Sequence, residues 1–189
     1  LNLWVQGLGT QRHFRVLIMK PSIARQLGRT ARQALGPARR AVLNQQLQHN
    51  LSHLQGRIGS YWALPEEANP GRHPGWYLPC IQDQSLVFRR YQRDADCQPG
   101  ALNIPVPIEG ETLGLQALDW VLVPLTAFDR AGTRVGMGGG YYDRTLDQIP
   151  RGQRIGIAFD AQCVGRITPA AWDQPLGAIV TPSGWIRLR

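Results

Sequence analysis

Apolar positions fall along the chain in short runs, separated by stretches with helical spacing. Ser22 to Leu35 carries Ile23, Leu27, Ala31 and Ala34 at that spacing, which predicts a helix burying this face. Gly36-Pro37 ends it and opens a second helix with proline in its first turn and Leu43, Leu47, Leu51 and Leu54 as its apolar stripe. Ile58 to Ala63 and Trp76 to Ile81 read as short strands. Ser85 to Tyr91 reads as a third, nearer the edge because of its two arginines. Asp94 to Glu111 is proline-rich and irregular. Asp119 to Leu125, Gln153 to Phe159 and Gly177 to Thr181 are further buried strands, the last one closing the sheet. This alternation predicts an α/β fold of three layers, a parallel-rich sheet flanked by helices. The first two strands are joined through LPEEANPGRHPG, whose prolines forbid a helix. A parallel pair asks for a crossover of about a dozen residues or more, usually helical. The connection is therefore predicted to be a shortened loop that barely spans the sheet.

Composition narrows the picture. The 189 residues suit one domain with a real core, and neither an internal repeat nor a dividing linker is visible. No apolar run approaches the roughly 18 residues of a membrane span, and no basic start leads into a long apolar stretch, so a cytoplasmic protein without membrane contact is expected. Cys80, Cys97 and Cys163 are odd in number, far apart and match no zinc spacing, which predicts free thiols. The net charge of +8 maps to one segment: residues 1–40 hold eight of the 21 basic residues and no acid. A basic arm for nucleic acid fits that segment, and a solvated helix face fits it better. His49 and His53 are four apart, but Asn50 stands where a zinc protease needs glutamate and no third ligand is in sight.

The chemistry is concentrated in TRVGMGGGYYDRTLD, Thr133 to Asp147. A buried strand leads into it, and a helix-forming stretch, Tyr141 to Gln148, comes after. Gly136, Gly138, Gly139 and Gly140 let backbone N–H groups turn inward as a nest, with a helix N-terminus expected to add its positive end. Arg134 brings a planar cationic fork suited to phosphate oxygens, and Asp143 is placed to hold Mg²⁺. The spacing is neither the G-x-G-x-x-G dinucleotide fingerprint nor a Walker A loop.

Val123-Pro124, Ala127-Phe128-Asp129, Gly132 and the run from Arg134 to Arg144 together closely resemble the signature of the 5-formyltetrahydrofolate cyclo-ligases (methenyltetrahydrofolate synthetases). Weaker similarity extends from about Met19 to Trp185. The resemblance implies an ATP- and Mg²⁺-dependent closure of 5-formyltetrahydrofolate to 5,10-methenyltetrahydrofolate by a monomer. It implies ATP contacts at Arg25, Arg134, Val135, Gly136, Met137, Gly138, Gly139, Gly140, Tyr141 and Tyr142. A further phosphate-binding lysine of the family falls on Pro21, and Lys20 beside it is expected to reach the same ATP phosphates. Folate contacts are implied at Trp62, at Glu67 in the pattern Glu-x-x-Pro, and along Met137 to Tyr141. Metal contacts are implied at Asp143 and Asp173, and catalytic roles at Arg134 and Tyr142. Arg29 and Arg32 are expected to face solvent. The family's crossover helix is missing behind Glu67, so that carboxylate is expected to be loosely held. Met19 sits where such a protein would start, which marks residues 1–18 as an extension or misassigned start and 19–189 as the domain. Two other classes stay open: a nucleotide-binding relative without folate turnover, and a nucleic-acid-associated module using the basic helix.

Overall fold

The computed structural model describes residues 18–83 and 85–188. The expectations about the segment before Ile18 lie outside the described residues. In chain order the elements are α1 (Pro21–Ala34), α2 (Gly36–Leu51), β1 (Ile58–Gly59), β2 (Tyr77–Gln82), β3 (Ser85–Arg90), β4 (Cys97–Pro99), β5 (Pro105–Pro107), β6 (Thr112–Leu113), β7 (Trp120–Pro124), β8 (Ala127–Phe128), β9 (Arg134–Val135), α3 (Tyr141–Leu146), β10 (Arg154–Ile157), β11 (Ala178–Thr181) and β12 (Gly184–Arg187). Among the described residues the main sheet runs β12-β11-β10-β7-β1-β2-β3-β6. Its five central strands, from β11 to β2, are parallel, whereas β12, β3 and β6 pair antiparallel at the two margins.

Successive side chains of a strand point to opposite faces, and both faces of this sheet are covered. Val121, Val123 and Ile179 join Leu146 and Ile149 in one core, on the side of α3. Leu122, Val180, Ile155 and Ile157 join Leu43, Leu47 and Leu51 of α2 in the other. The three-layer, parallel-rich architecture is thus the observed one, and α2 carries the apolar stripe read from its sequence.

Four expectations are corrected. Gly177 to Thr181 does not close the sheet: the chain turns at Pro182-Ser183 and adds β12 antiparallel to β11. Asp94 to Glu111 is not wholly irregular, since β4 and β5 form a small ladder there. Another hairpin, β8–β9, is inserted between β7 and the glycine loop. The buried face of α1 lies one residue along from the predicted one. Ala24, Gly28 and Arg32 are buried, while Ile23 and Leu27 are exposed. The reason is clearance: a Cβ on Gly28 would lie 2.1 Å from the Thr126 carbonyl oxygen, so only a small-residue face lets α1 settle on the exit of β7. Among the described residues no helix is long and apolar enough to cross a membrane, and the three cysteines are free thiols.

The crossover from β1 to β2 is non-helical, as its prolines require, but it is not loose. The Asn69 N–H donates to Asn44 Oδ1 (3.0 Å), and Gln48 Nε2 donates to the Asn69 carbonyl (3.1 Å), both partners lying on α2. Arg72 pairs in a fork with Asp94 (3.1 and 3.0 Å) and lies 4.1 Å over the Trp62 ring.

The seating of α1 is testable. Gly→Ala inside a helix ordinarily stabilises by about 1 kcal/mol. At Gly28 the sign should reverse, with G28A losing about 1–3 kcal/mol to overpacking against Thr126. Urea denaturation measures this, and a gain in stability would show that α1 does not sit on β7.

Candidate active site

In an open parallel sheet, ligands bind beyond the carboxyl ends of the strands where the strand order reverses. Here the chain leaves β1 to one side for β2 and later returns to its other side as β7. The ends of β1 and β7 therefore face a crevice that no crossover covers. A cavity of about 1060 Å³ opens there, lined by Tyr61 and Trp62 after β1 and by Pro124, Leu125 and Thr126 at the end of β7. Gln162 pins this exit: its Nε2 donates to the Leu125 (2.9 Å) and Thr126 (2.8 Å) carbonyls.

One end of the cavity is cationic. Asp129 organises it from below, accepting from the N–H groups of Ala131 and Thr133 (both 2.9 Å) and of Ile167 (2.9 Å), which closes the β8–β9 hairpin. That hairpin delivers Arg134, whose Nη2 donates to Asp143 Oδ1 at 2.5 Å. Gly138 and Gly140 adopt positive φ (103° and 70°), so the loop curls in a way that side-chain-bearing residues resist. Arg25 reaches across from α1 and donates through Nε to the Gly136 carbonyl (2.8 Å). Arg144 donates to the Gly139 carbonyl (3.1 Å) and lies 5.1 Å over the Tyr141 ring. Helix α3 has only six residues, so the expected dipole is weak and the loop's own N–H groups and guanidiniums carry the positive character.

The same cavity is also lined by a buried acid. Glu67 Oε2 accepts from the Leu64 N–H (3.1 Å), and Oε1 lies 3.8 Å from Arg32 Nη1, with both side chains at least nine-tenths buried. Burial pushes the Glu67 carboxyl up, and the Leu64 N–H and the Arg32 charge oppose that push. The phenols of Tyr61 and Tyr142 are driven well above their usual range by burial, then by the negative charge of Glu67. The Tyr61 hydroxyl donates to the Ala68 carbonyl, whereas the Tyr142 hydroxyl has no hydrogen-bond partner among the described residues.

The sequence-derived site converges in this one cavity: Arg25, Trp62, Glu67, Arg134, Val135, the run Gly136 to Gly140, Tyr141, Tyr142, Asp143 and Asp173 all line it. Lys20 does not. It is exposed at the N-cap of α1, and Pro21 takes the lining position. Glu67 is buried and pinned, not loosely held, because α2 and Leu64 replace the missing helix. Arg32 is 3% exposed and not solvated. The basic stripe of α1 is thereby divided, with Arg25 on the glycine loop, Arg32 beside Glu67 and only Arg29 of the three exposed, which does not favour a nucleic-acid reading of this helix. Asp173 also does what a turn residue does, accepting from the Ala170 N–H (2.8 Å). Sequence reasoning missed Tyr61, Arg144, Trp172 and Gln174. Only Arg144 carried a signal, by its place inside the glycine motif.

The family model for 5-formyltetrahydrofolate cyclo-ligase matches residues 72–182, more than half of the chain. The chain belongs to this family. The Escherichia coli K12 5-formyltetrahydrofolate cyclo-ligase is 41% identical over 114 residues, covering 57% of this chain and 63% of that protein. The mitochondrial cyclo-ligase of Arabidopsis thaliana is 31% identical over 130 residues, covering 57% and 47%. The alignments thus span less than two thirds of these relatives. The solved structure of Aquifex aeolicus 5,10-methenyltetrahydrofolate synthetase superimposes with a TM-score of 0.77 at 28% identity, covering 89% of this chain and 93% of that one.

For this cyclo-ligase family member, the Arg134–Asp143 pair has a consequence before any ligand arrives. Asp143→Asn keeps an acceptor but removes the charge facing a buried guanidinium. It should lower stability by about 1 kcal/mol in chelator, where no metal contributes. An unchanged melting temperature under those conditions would show that the pair adds nothing to the ligand-free fold.

Proposed function

We propose that the protein catalyses ATP-dependent cyclisation of 5-formyltetrahydrofolate to 5,10-methenyltetrahydrofolate, releasing ADP and phosphate. The observation that carries this reading is the union of a cationic, glycine-lined end and a buried acid in one cavity. Its volume of about 1060 Å³ sits at the upper end of the range for small-molecule sites, as two ligands held side by side would need.

The formyl oxygen is a poor leaving group. Transfer of the terminal phosphoryl group of ATP to it makes a good one, N10 of the folate closes the ring, and phosphate departs. Phosphoryl transfer asks a protein mainly for positioning and charge neutralisation. Arg25, Arg134 and the loop from Val135 to Gly140 are suited to the ATP phosphates, with Tyr141 beside them. Arg134 faces the transferred group, and the buried Tyr142 hydroxyl, lacking a partner among the described residues, has a proton to donate at the reacting oxygen. Glu67 and Trp62 suit the pterin, whose ring N–H groups need an acceptor and whose face needs a flat surface. Asp143 and Asp173 line the same space and fit Mg²⁺. An ion there would be held by few carboxylates plus nucleotide oxygens, as Mg²⁺ commonly is. When bound, the ion neutralises phosphate charge. One chain lines the whole cavity, so a monomer suffices.

The deciding measurement is the absorbance of methenyltetrahydrofolate formed from 5-formyltetrahydrofolate, with and without ATP. ATP-dependent growth of that band is expected, and its absence with ATP bound would favour a nucleotide-binding relative without folate turnover. Within that assay, Glu67→Gln should raise the KM for folate and leave ATP affinity alone, whereas Glu66→Gln should do neither. The buried acid also predicts a sign for pH. The buried Glu67 carboxyl titrates above the ordinary glutamate range, and its ionised form accepts the pterin donors. Folate KM should therefore rise as pH falls through that raised value, and E67Q should be flat over the same interval. Equal pH profiles for the two proteins would remove Glu67 from folate recognition.

Arg134→Ala should weaken ATP binding by about 1.5–3 kcal/mol through loss of a charge-assisted contact. Calorimetry with ATP measures it, and an unchanged dissociation constant would mean that the glycine loop binds the phosphates without Arg134.

A further inference from the structure

Arg32 has no place in the proposed chemistry, yet it is among the most buried charges of the protein. It sits on the inward face of α1, with its side chain 4% exposed. Its Nε and Nη1 have no hydrogen-bond partner among the described residues, although a buried guanidinium ordinarily finds several. The carboxylate it faces is Glu67, with Nη1 to Oε1 at 3.8 Å, close enough for strong attraction and too long for a hydrogen bond.

We propose that Arg32 is the positioning residue of Glu67: it offsets that acid's charge at close range without donating a hydrogen bond to its Oε1. The proposal rests on the cyclo-ligase reading only in naming folate as the ligand.

The geometry explains why the spacing matters. A bidentate Arg–carboxylate fork would engage both oxygens of Glu67 and leave little acceptor capacity for a ligand. Here Oε2 is engaged by the Leu64 N–H, and Oε1 feels the Arg32 charge while keeping its lone pairs. The other ionisable groups facing Glu67 work against its charge or leave it unaltered. Tyr61 comes just after β1 and Tyr142 lies on α3, both phenols held protonated by burial and by Glu67 itself. Arg134 acts on Tyr142 from the far side. Arg32 is thus the cation that keeps a buried acceptor ionised, which a pterin edge with two adjacent N–H donors requires. Removing it leaves only the Leu64 N–H to oppose the push of burial, which tips the carboxyl toward its protonated form.

The test combines titration with binding. Carboxyl-labelled glutamate followed by ¹³C NMR gives the Glu67 midpoint, and calorimetry gives the dissociation constants of 5-formyltetrahydrofolate and of ATP. In R32M the Glu67 midpoint should rise by about one pH unit or more, and folate binding should weaken about tenfold at pH values below the wild-type midpoint. ATP affinity should stay within about twofold. R32K should return both quantities toward wild type. In an E67Q background, R32M should add no further loss of folate affinity. An unmoved Glu67 midpoint in R32M, or an equal loss of folate affinity with and without Glu67, overturns the proposal. If R32M does not fold, the wild-type protein decides: the Arg32 Nε–H resonance must titrate with the Glu67 midpoint, and independence of the two overturns the proposal. Failure of the functional reading looks different. The wild-type protein then binds no folate at any pH, while the linked titration of Arg32 and Glu67 still stands or falls by itself.

Discussion

The reversal of chain direction around β1 is the constraint that creates the site. A parallel sheet that grew only one way would cover each strand end with its next crossover. This chain departs β1 toward β2 and returns on the opposite side as β7, leaving the two carboxyl ends side by side and open. The segment leaving β1 supplies Tyr61, Trp62 and Glu67. The segment leaving β7 supplies the hairpin, Arg134 and the glycine loop. Two segments far apart in sequence thus line one cavity. The space is closed from a third side by α1, and Gly28 permits this by letting the helix approach the Thr126 carbonyl.

Three buried guanidiniums then shape the electrostatics. Arg32, Arg134 and Arg154 are each under a tenth exposed. Arg32 faces Glu67 and Arg134 is paired with Asp143, whereas Arg154 relies on neutral acceptors. Its Nε and Nη2 donate to the Ile149 carbonyl (2.9 and 2.6 Å), and Nη1 donates to Gln174 Oε1 and the Pro175 carbonyl (3.0 and 3.2 Å). Burial and the nearby Arg134 charge both push its pKa down. The Asp147 carboxylate opposes that push. The same contacts join the segment after α3 to the loop that carries Asp173.

Much of this was legible in the sequence because the relevant signals are local. Short apolar runs marked the central strands and a period-3.6 pattern marked α2, and the glycine motif marked the cationic end almost residue for residue. What failed was what depends on tertiary clearance. The apolar residues Ile23 and Leu27 looked like the buried face of α1, but close approach to a carbonyl favours Ala24 and Gly28, and that one-residue rotation is what buries Arg32. Its spacing of seven from Arg25 already placed both arginines on one helical face, yet spacing alone does not say which way the face turns. Tyr61 carried no local signal, and neither did the β8–β9 hairpin, whose strands are two residues each and are fixed by the bonds of Asp129 and by the ladder itself.

The crossover from β1 to β2 shows why a missing helix need not loosen a site. A helix in this interval would hold Glu67 by its own backbone bonds. Here the same task passes to α2, through Asn44 and Gln48. Each of these comes directly after a residue of the buried stripe, Leu43 and Leu47, and the two are themselves one helical turn apart. The burial that seats α2 on the sheet therefore also orients the two amides that grip Asn69, two residues beyond Glu67. The Tyr61 hydroxyl grips the Ala68 carbonyl from the strand side. The carboxyl group is held from both flanks by groups whose positions are already set by the core, and so it can be buried and fixed at the cavity wall in a loop without regular secondary structure.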